Sequence, residues 1–134
     1  MKTAIILAVC VALLTSCSLE KPNVEKARAV AEACLKAVDK GDYKTVRDEY
    51  YTSEFVKAET EEQLAGKFNK LKEITGALKE YELTESKLET EMGEEACVKL
   101  TYSVQHERVT TREEFVVVVE DGKHKIGSHI VSNE

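Results

Sequence analysis

Residues 96–132 read ACVKLTYSVQHERVTTREEFVVVVEDGKHKIGSHIVS, and two features of this stretch decide the fold. Ala96, Val98, Leu100, Tyr102 and Val104 alternate with Cys97, Lys99, Thr101, Ser103 and Gln105, the period-two pattern of a strand that buries one face. Further on, Asp121-Gly122 is a dipeptide suited to a two-residue hairpin, because both central positions of that turn need positive φ. The stretch therefore reads as strands over 96–107, 110–120 and 123–132, joined by short turns into an antiparallel meander. On the last strand Ile126 and Ile130 mark one side. The run Phe115-Val116-Val117-Val118-Val119 is apolar on both parities, whereas a strand covered on one face alternates. Cover is therefore expected on both faces: helices on one, and a cavity wall or a second copy of the domain on the other.

Working outward toward the N-terminus, residues 79–91 read as a fourth, polar, edge-like strand. Its apolar residues change parity between Leu83 and Leu88, which predicts a bulge. Before Gly76 the period is helical. Asn23 caps a helix to about Lys40 whose stripe is Val24, Ala27, Ala31, Cys34, Leu35 and Val38. A short helix from Tyr43 to Tyr50 follows, then Thr52 or Ser53 recaps the chain and Phe55 and Val56 form an apolar knuckle. Thr60-Glu61-Glu62-Gln63 is a capping box that opens a third helix burying Leu64, Phe68, Leu71 and Thr75. The expected class is α+β: three N-terminal helices packed on a curved four-stranded antiparallel meander sheet, one domain over residues 24–134.

The whole chain has 134 residues, 19 Lys+Arg against 25 Asp+Glu, one Pro, six Gly, four Cys and no Trp. That length suits one domain. The net charge of −6 opposes nucleic-acid binding, which wants a basic face for the phosphates.

The N-terminus carries an address. Lys2 precedes an uncharged apolar run from Ala4 to Leu14, too short for a bilayer span of about 20 residues and of signal-peptide length. Leu14-Thr15-Ser16-Cys17 resembles the lipobox of bacterial lipoproteins. The resemblance implies a signal peptide over 1–16, cleavage before Cys17, a lipid on the Cys17 thiol and acylation of the new N-terminus. Several acyl chains give stable anchoring where one is marginal. Residues 17–23, with Pro22, would form a short tether. Ser18, rather than Asp, follows the cysteine, which the resemblance links to the outer membrane if the host is Gram-negative.

Three further motifs resemble the nuclear-transport-factor-2-like superfamily of cystatin-like cone folds. They are Leu35-Lys36-Ala37-Val38-Asp39-Lys40-Gly41-Asp42-Tyr43 at a helix end, Gly93-Glu94-Glu95-Ala96-Cys97-Val98-Lys99-Leu100 leading into a central strand, and Glu120-Asp121-Gly122-Lys123-His124-Lys125-Ile126 at the last hairpin. His124 stands where the family usually has tryptophan. The resemblance implies a cone whose pocket hosts isomerase or dehydratase chemistry, binds an apolar ligand, or is filled and inert; fold alone does not choose.

Site candidates follow. Export permits a Cys34–Cys97 disulfide, but alternation points Cys97 away from the helices, so a bridge and two separate thiols both stand. His124 and His129, five apart on one strand, are expected on opposite faces, and neither they nor His106 show zinc-ligand spacing with the cysteines. No metal, cofactor or catalytic residue is assigned. Acid/base chemistry in a cone would need a buried carboxylate or His and an oxyanion donor. Tyr50, Tyr51, Tyr102, Arg112, Glu114 and His106 could supply these, with Tyr50, Tyr102 and Arg112 lining the pocket. Most acidic residues, such as those in 59–62 and 89–95, sit in solvated patterns. The expected function is a lipid-anchored envelope protein whose domain binds a small apolar ligand or a protein partner, as a homodimer through the sheet face or alone. The alternative is a ketosteroid-isomerase-like enzyme.

Overall fold

The change of period at Gly76 divides a helical half from a sheet. The computed structural model describes residues 20–90 and 96–134. The signal segment 1–16, Cys17 and the start of the Gly93–Leu100 motif lie outside the described residues. Helix α1 (Val24–Asp39) is capped by the Asn23 side chain, which accepts from the Lys26 amide. It crosses all four strands, and Ala27, Ala31 and Cys34 are fully buried on the facing stripe. Their small size lets the helix backbone sit close to the sheet.

The next helical stretch differs from the regular short helix expected over 43–50. Helix α2 (Tyr43–Thr45) passes into a π-turn (Val46–Tyr50), in which the Tyr51 amide donates to the Val46 carbonyl at 3.0 Å. The wide turn delivers Tyr51 to the sheet edge, where it forms a parallel bridge with Ile126 and the Thr52 amide donates to the Ile126 carbonyl at 3.0 Å. The Thr52 hydroxyl then caps α3 (Ser53–Ala58), so the apolar knuckle is itself a helix. The described residues thus hold four α-helical segments where three were expected. The last, α4 (Glu61–Thr75), has both halves of its capping box: the Gln63 amide donates to Thr60 Oγ1 at 3.1 Å and the Thr60 amide to Gln63 Oε1 at 2.9 Å. No helix among the described residues is long and apolar enough to cross a membrane.

Strands β1 (Leu78–Glu89), β2 (Cys97–His106), β3 (Thr110–Glu120) and β4 (Lys123–Asn133) form an open antiparallel sheet in the order β1-β2-β3-β4. The chain is therefore α+β with a meander sheet. Asp121 and Gly122 both have positive φ, 51° and 75°, as the hairpin requires. The β1 register shifts between Leu83 and Glu85, where the parity change predicted a bulge. Val98, Leu100, Tyr102, Val104, Phe115, Val117 and Ile126 are fully buried beneath the helices.

One irregularity on β4 overturns two expectations. Val116 pairs with Ser128 but Val117 with Ile126, so the bulge at Gly127 adds one residue and reverses parity. Ile126 is fully buried while Ile130 is 56% exposed, so the two isoleucines lie on opposite faces. For the same reason His124 and His129 share the helix side. The outer face is mostly polar, with Val116 and Val118 half-buried and Ile130 exposed.

Candidate functional site

Glu113 shares parity with Phe115 and Val117, and so it points inward beneath the helices, only 4% exposed. Thr111, two residues earlier on the same face, donates its hydroxyl to Glu113 Oε2 at 3.1 Å. The β4 bulge turns His129 inward, with its Nε2 2.7 Å from Glu113 Oε1. His106, at the end of β2, places Nε2 3.2 Å from Thr111 Oγ1 and 3.7 Å from Glu113 Oε2. The His129 ring is stacked on Phe115 at 4.1 Å between centroids and on Phe68 at 5.7 Å. One carboxylate is thus ringed by donors from three strands.

Two effects act on Glu113 in opposite directions. Burial alone would raise its pKa; the nearby His106 imidazole, the hydrogen bonds from His129 and Thr111, and the charge of His129 win and hold the carboxyl at about 2. The adjoining space, between Leu35, Phe68, Leu71, Thr75 and the His106–Glu113–His129 group, measures about 40 Å³. That is room for roughly two or three water molecules. Glu113 is thus a buried exception among acidic residues that were expected to be mostly solvated. Its inward parity was a legible signal; the place of His129 depended on the bulge.

The expected pocket residues are not brought together. Tyr102 is fully buried in the core and donates its hydroxyl to Glu32 Oε2 at 3.0 Å; Glu32 also accepts from Arg28 at 3.2 Å. Tyr50 is half-buried against the core at the end of the π-turn. Arg112 is exposed on the outer face and paired with Glu114 at 2.8 Å. Tyr51 is buried and stacked parallel to Phe55 at 4.0 Å, with no partner for its hydroxyl.

Cys34 is a buried free thiol, its pKa pushed far up by burial and, less, by the charge of Glu113. Cys97 alternates with the buried Val98 and so faces the other side of the sheet, and no bridge joins it to Cys34. His124, at the expected tryptophan position, accepts the Asn23 amide on Nε2 at 2.9 Å. Burial holds its pKa below the usual histidine value. No group of His, Cys, Asp and Glu among the described residues is arranged to hold a metal ion. Compared with known proteins, the chain matches no family model and no curated sequence.

Proposed function

We propose that this is a lipid-anchored protein of the bacterial cell envelope whose domain binds a ligand or partner without catalysing a reaction. The address rests on Leu14-Thr15-Ser16-Cys17 behind its apolar run. The observation that carries the non-enzymatic reading is the filled interior: about 40 Å³ beside the buried carboxylate. Ligand pockets run to about 300–1,000 Å³, and an efficient general base has a pKa near the working pH. Glu113, held at about 2, meets neither requirement. In this reading the domain is a nuclear-transport-factor-2-like cone, with Phe68 and Leu71 lining the small space that remains beside Glu113. Partners are a small ligand, an envelope protein or a second copy on the sheet's outer face, and not nucleic acid.

Labelling with radioactive palmitate tests the address. Full-length chain expressed in a bacterial host should take up label and sediment with membranes, and Cys17→Ala should do neither. Label or membrane retention in Cys17→Ala would refute the anchor.

One observation favours the enzymatic alternative. His129 Nδ1 is buried without a partner while Glu113 fixes the ring through Nε2, the arrangement of a carboxylate-oriented base. Isomerisation of a β,γ-unsaturated ketosteroid by the protein, lost in His129→Gln, would establish that alternative in place of the binding module.

A further inference from the structure

Among the described residues the sheet has two free edges, and they differ in charge. β1 pairs with β2 alone, and β4 with β3 apart from the single Tyr51 bridge. A free edge offers unpaired backbone N–H and C=O groups to another strand. The β1 edge is blunted: Glu80, Glu82, Glu85 and Lys87 are exposed along it, and its register breaks twice. The β4 edge is taken at Ile126, whose carbonyl accepts the Thr52 amide. Beyond the bulge at Gly127 it is open and neutral. Residues 128–133 include no Lys, Arg, Asp or Glu, and they follow β3 with no further shift of register. Two large exposed apolar side chains border this segment, Ile130 at 56% and Ile74 at 68%. Lys67 of α4 lies beside Ser128 and His129, and Ile74, seven residues on, is two turns further along the same flank.

We propose that two copies of the chain pair through residues 128–132 of β4, antiparallel about a twofold axis at Ile130, joining their sheets into one. In that register each Ile130 faces its counterpart and each Ser128 faces the Ser132 position of the other copy, so no like charges meet. Self-pairing at β1 would set glutamates against each other. Both β1 edges stay on the outside of the joint sheet, where their charge stops further addition and closes the assembly at two. Antiparallel pairing that keeps the alternation puts both inner faces on one side. Both α1 helices, and with them both Asn23 caps, then stand on the same side of the joint sheet, as two chains anchored in one membrane require. The ladder is short beside a standard interface; a shared membrane offsets this by raising the local concentration. The inference rests on the proposed function for that membrane, and it commits the partner to a second copy held at the sheet edge instead of the outer face.

The test is oxidative cross-linking of the full-length chain in the membranes of a bacterial host, with copper–phenanthroline as oxidant and the unsubstituted chain as background. Directly opposed residues of an antiparallel pair have Cβ atoms about 5 Å apart, close to the spacing of a disulfide. Ile130→Cys should therefore give a bridged dimer well above background, and Thr84→Cys on the β1 edge should not. Ile130 is exposed, so its replacement spares the core. In a second measurement, sedimentation of the purified full-length protein in detergent, Ile130→Lys should weaken association about tenfold, because it sets like charges opposite each other. Three results would each overturn the edge: no bridge above background at Ile130→Cys, a bridge formed as fast at Thr84→Cys, or association unchanged in Ile130→Lys. A bridge at Arg112→Cys in place of Ile130→Cys would move the contact to the outer face and refute the edge while leaving the binding-module reading intact. Palmitate label on the same cells decides the anchor separately: label without a bridge refutes the edge alone, and a bridge without label upholds the pairing and refutes the anchor.

Discussion

Replacing Glu113 tests the buried network directly. The carboxylate is 4% exposed and accepts from His129 at 2.7 Å and Thr111 at 3.1 Å. Glu113→Ala would leave an imidazole N–H and a hydroxyl buried without their acceptor, and would open a void beside Phe68. Breaking a buried charged pair by removing one member costs about 3–5 kcal/mol, a large part of the 5–15 kcal/mol that holds a typical domain. Glu113→Gln keeps the shape and one acceptor and should cost less, about 1–3 kcal/mol. The double replacement Glu113→Leu with His129→Phe keeps an aromatic ring between Phe68 and Phe115. It should return stability to within about 2 kcal/mol of the native protein, because a hydrocarbon pair escapes the desolvation cost of the ionic one.

The same carboxyl gives the prediction its pH signature. Its pKa falls from the ordinary 4.5 to about 2 on folding, so the unfolded chain takes up the proton first as pH drops. The contribution is complete above pH 4.5, declines between 4.5 and 2, and is gone below. A shift of this size corresponds to something on the order of 3 kcal/mol. Urea unfolding followed by far-UV circular dichroism at a series of pH values measures it. With a slope of about 1–3 kcal/mol per molar urea, the Glu113→Gln midpoint should lie roughly 1 M below the native one at pH 7, and the two should converge toward pH 2. A midpoint gap that stays constant across that range, or a Glu113→Ala cost below about 1 kcal/mol, would refute the reasoning.

Two other positions give separate tests. Gly76 has φ +82°, and a Cβ there would lie 2.8 Å from Glu107 Cβ; Gly76→Ala should therefore cost more than the roughly 1 kcal/mol of left-handed strain alone, read as a fall in melting temperature. His124 accepts the Asn23 amide only when Nε2 is unprotonated, and its folded pKa lies below the ordinary 6.5. The unfolded chain thus protonates first, stability is lost as pH falls from 6.5, and His124→Leu should remove that dependence; an Asn23 amide protection factor equal at pH 5 and pH 8 in the native protein would contradict this.

Much of the fold was legible because local chemistry and tertiary need agree. Asn23, Thr60 with Gln63, and Asp121-Gly122 each satisfy backbone groups that any structure there must satisfy, so their elements begin and end where the residues say. The β2 alternation survives because its core face is wholly apolar. The π-turn was not legible: it is set by the demand that Tyr51 reach Ile126, a contact 75 residues away in sequence. The parity of His129 was hidden for a different reason. Gly127 sits inside the strand, and an internal glycine is a known mark of a bulge; counting straight through it put His129 outside and Ile130 inside. Glu113 was visible all along, two residues from Phe115 on the same face, but its burial makes physical sense only once a donor stands across from it.

That dependence explains why the irregular register is the one adopted. A regular β3–β4 ladder would bury Ile130, a gain of about 1.5–3 kcal/mol, and would turn His129 to solvent. Glu113 would then sit beneath the helices without its strongest donor. Mutational data put a buried polar group that lacks its hydrogen bond at about 1–3 kcal/mol, and a buried charge at much more. The exposed Ile130 is therefore the smaller loss, and the carboxylate on β3 selects the extra residue on β4. The bulge also falls immediately after Ile126, the residue to which the π-turn fastens Tyr51. Two departures from regular geometry thus meet at one edge of the sheet. One brings Tyr51 to the sheet edge and the other turns His129 inward to Glu113.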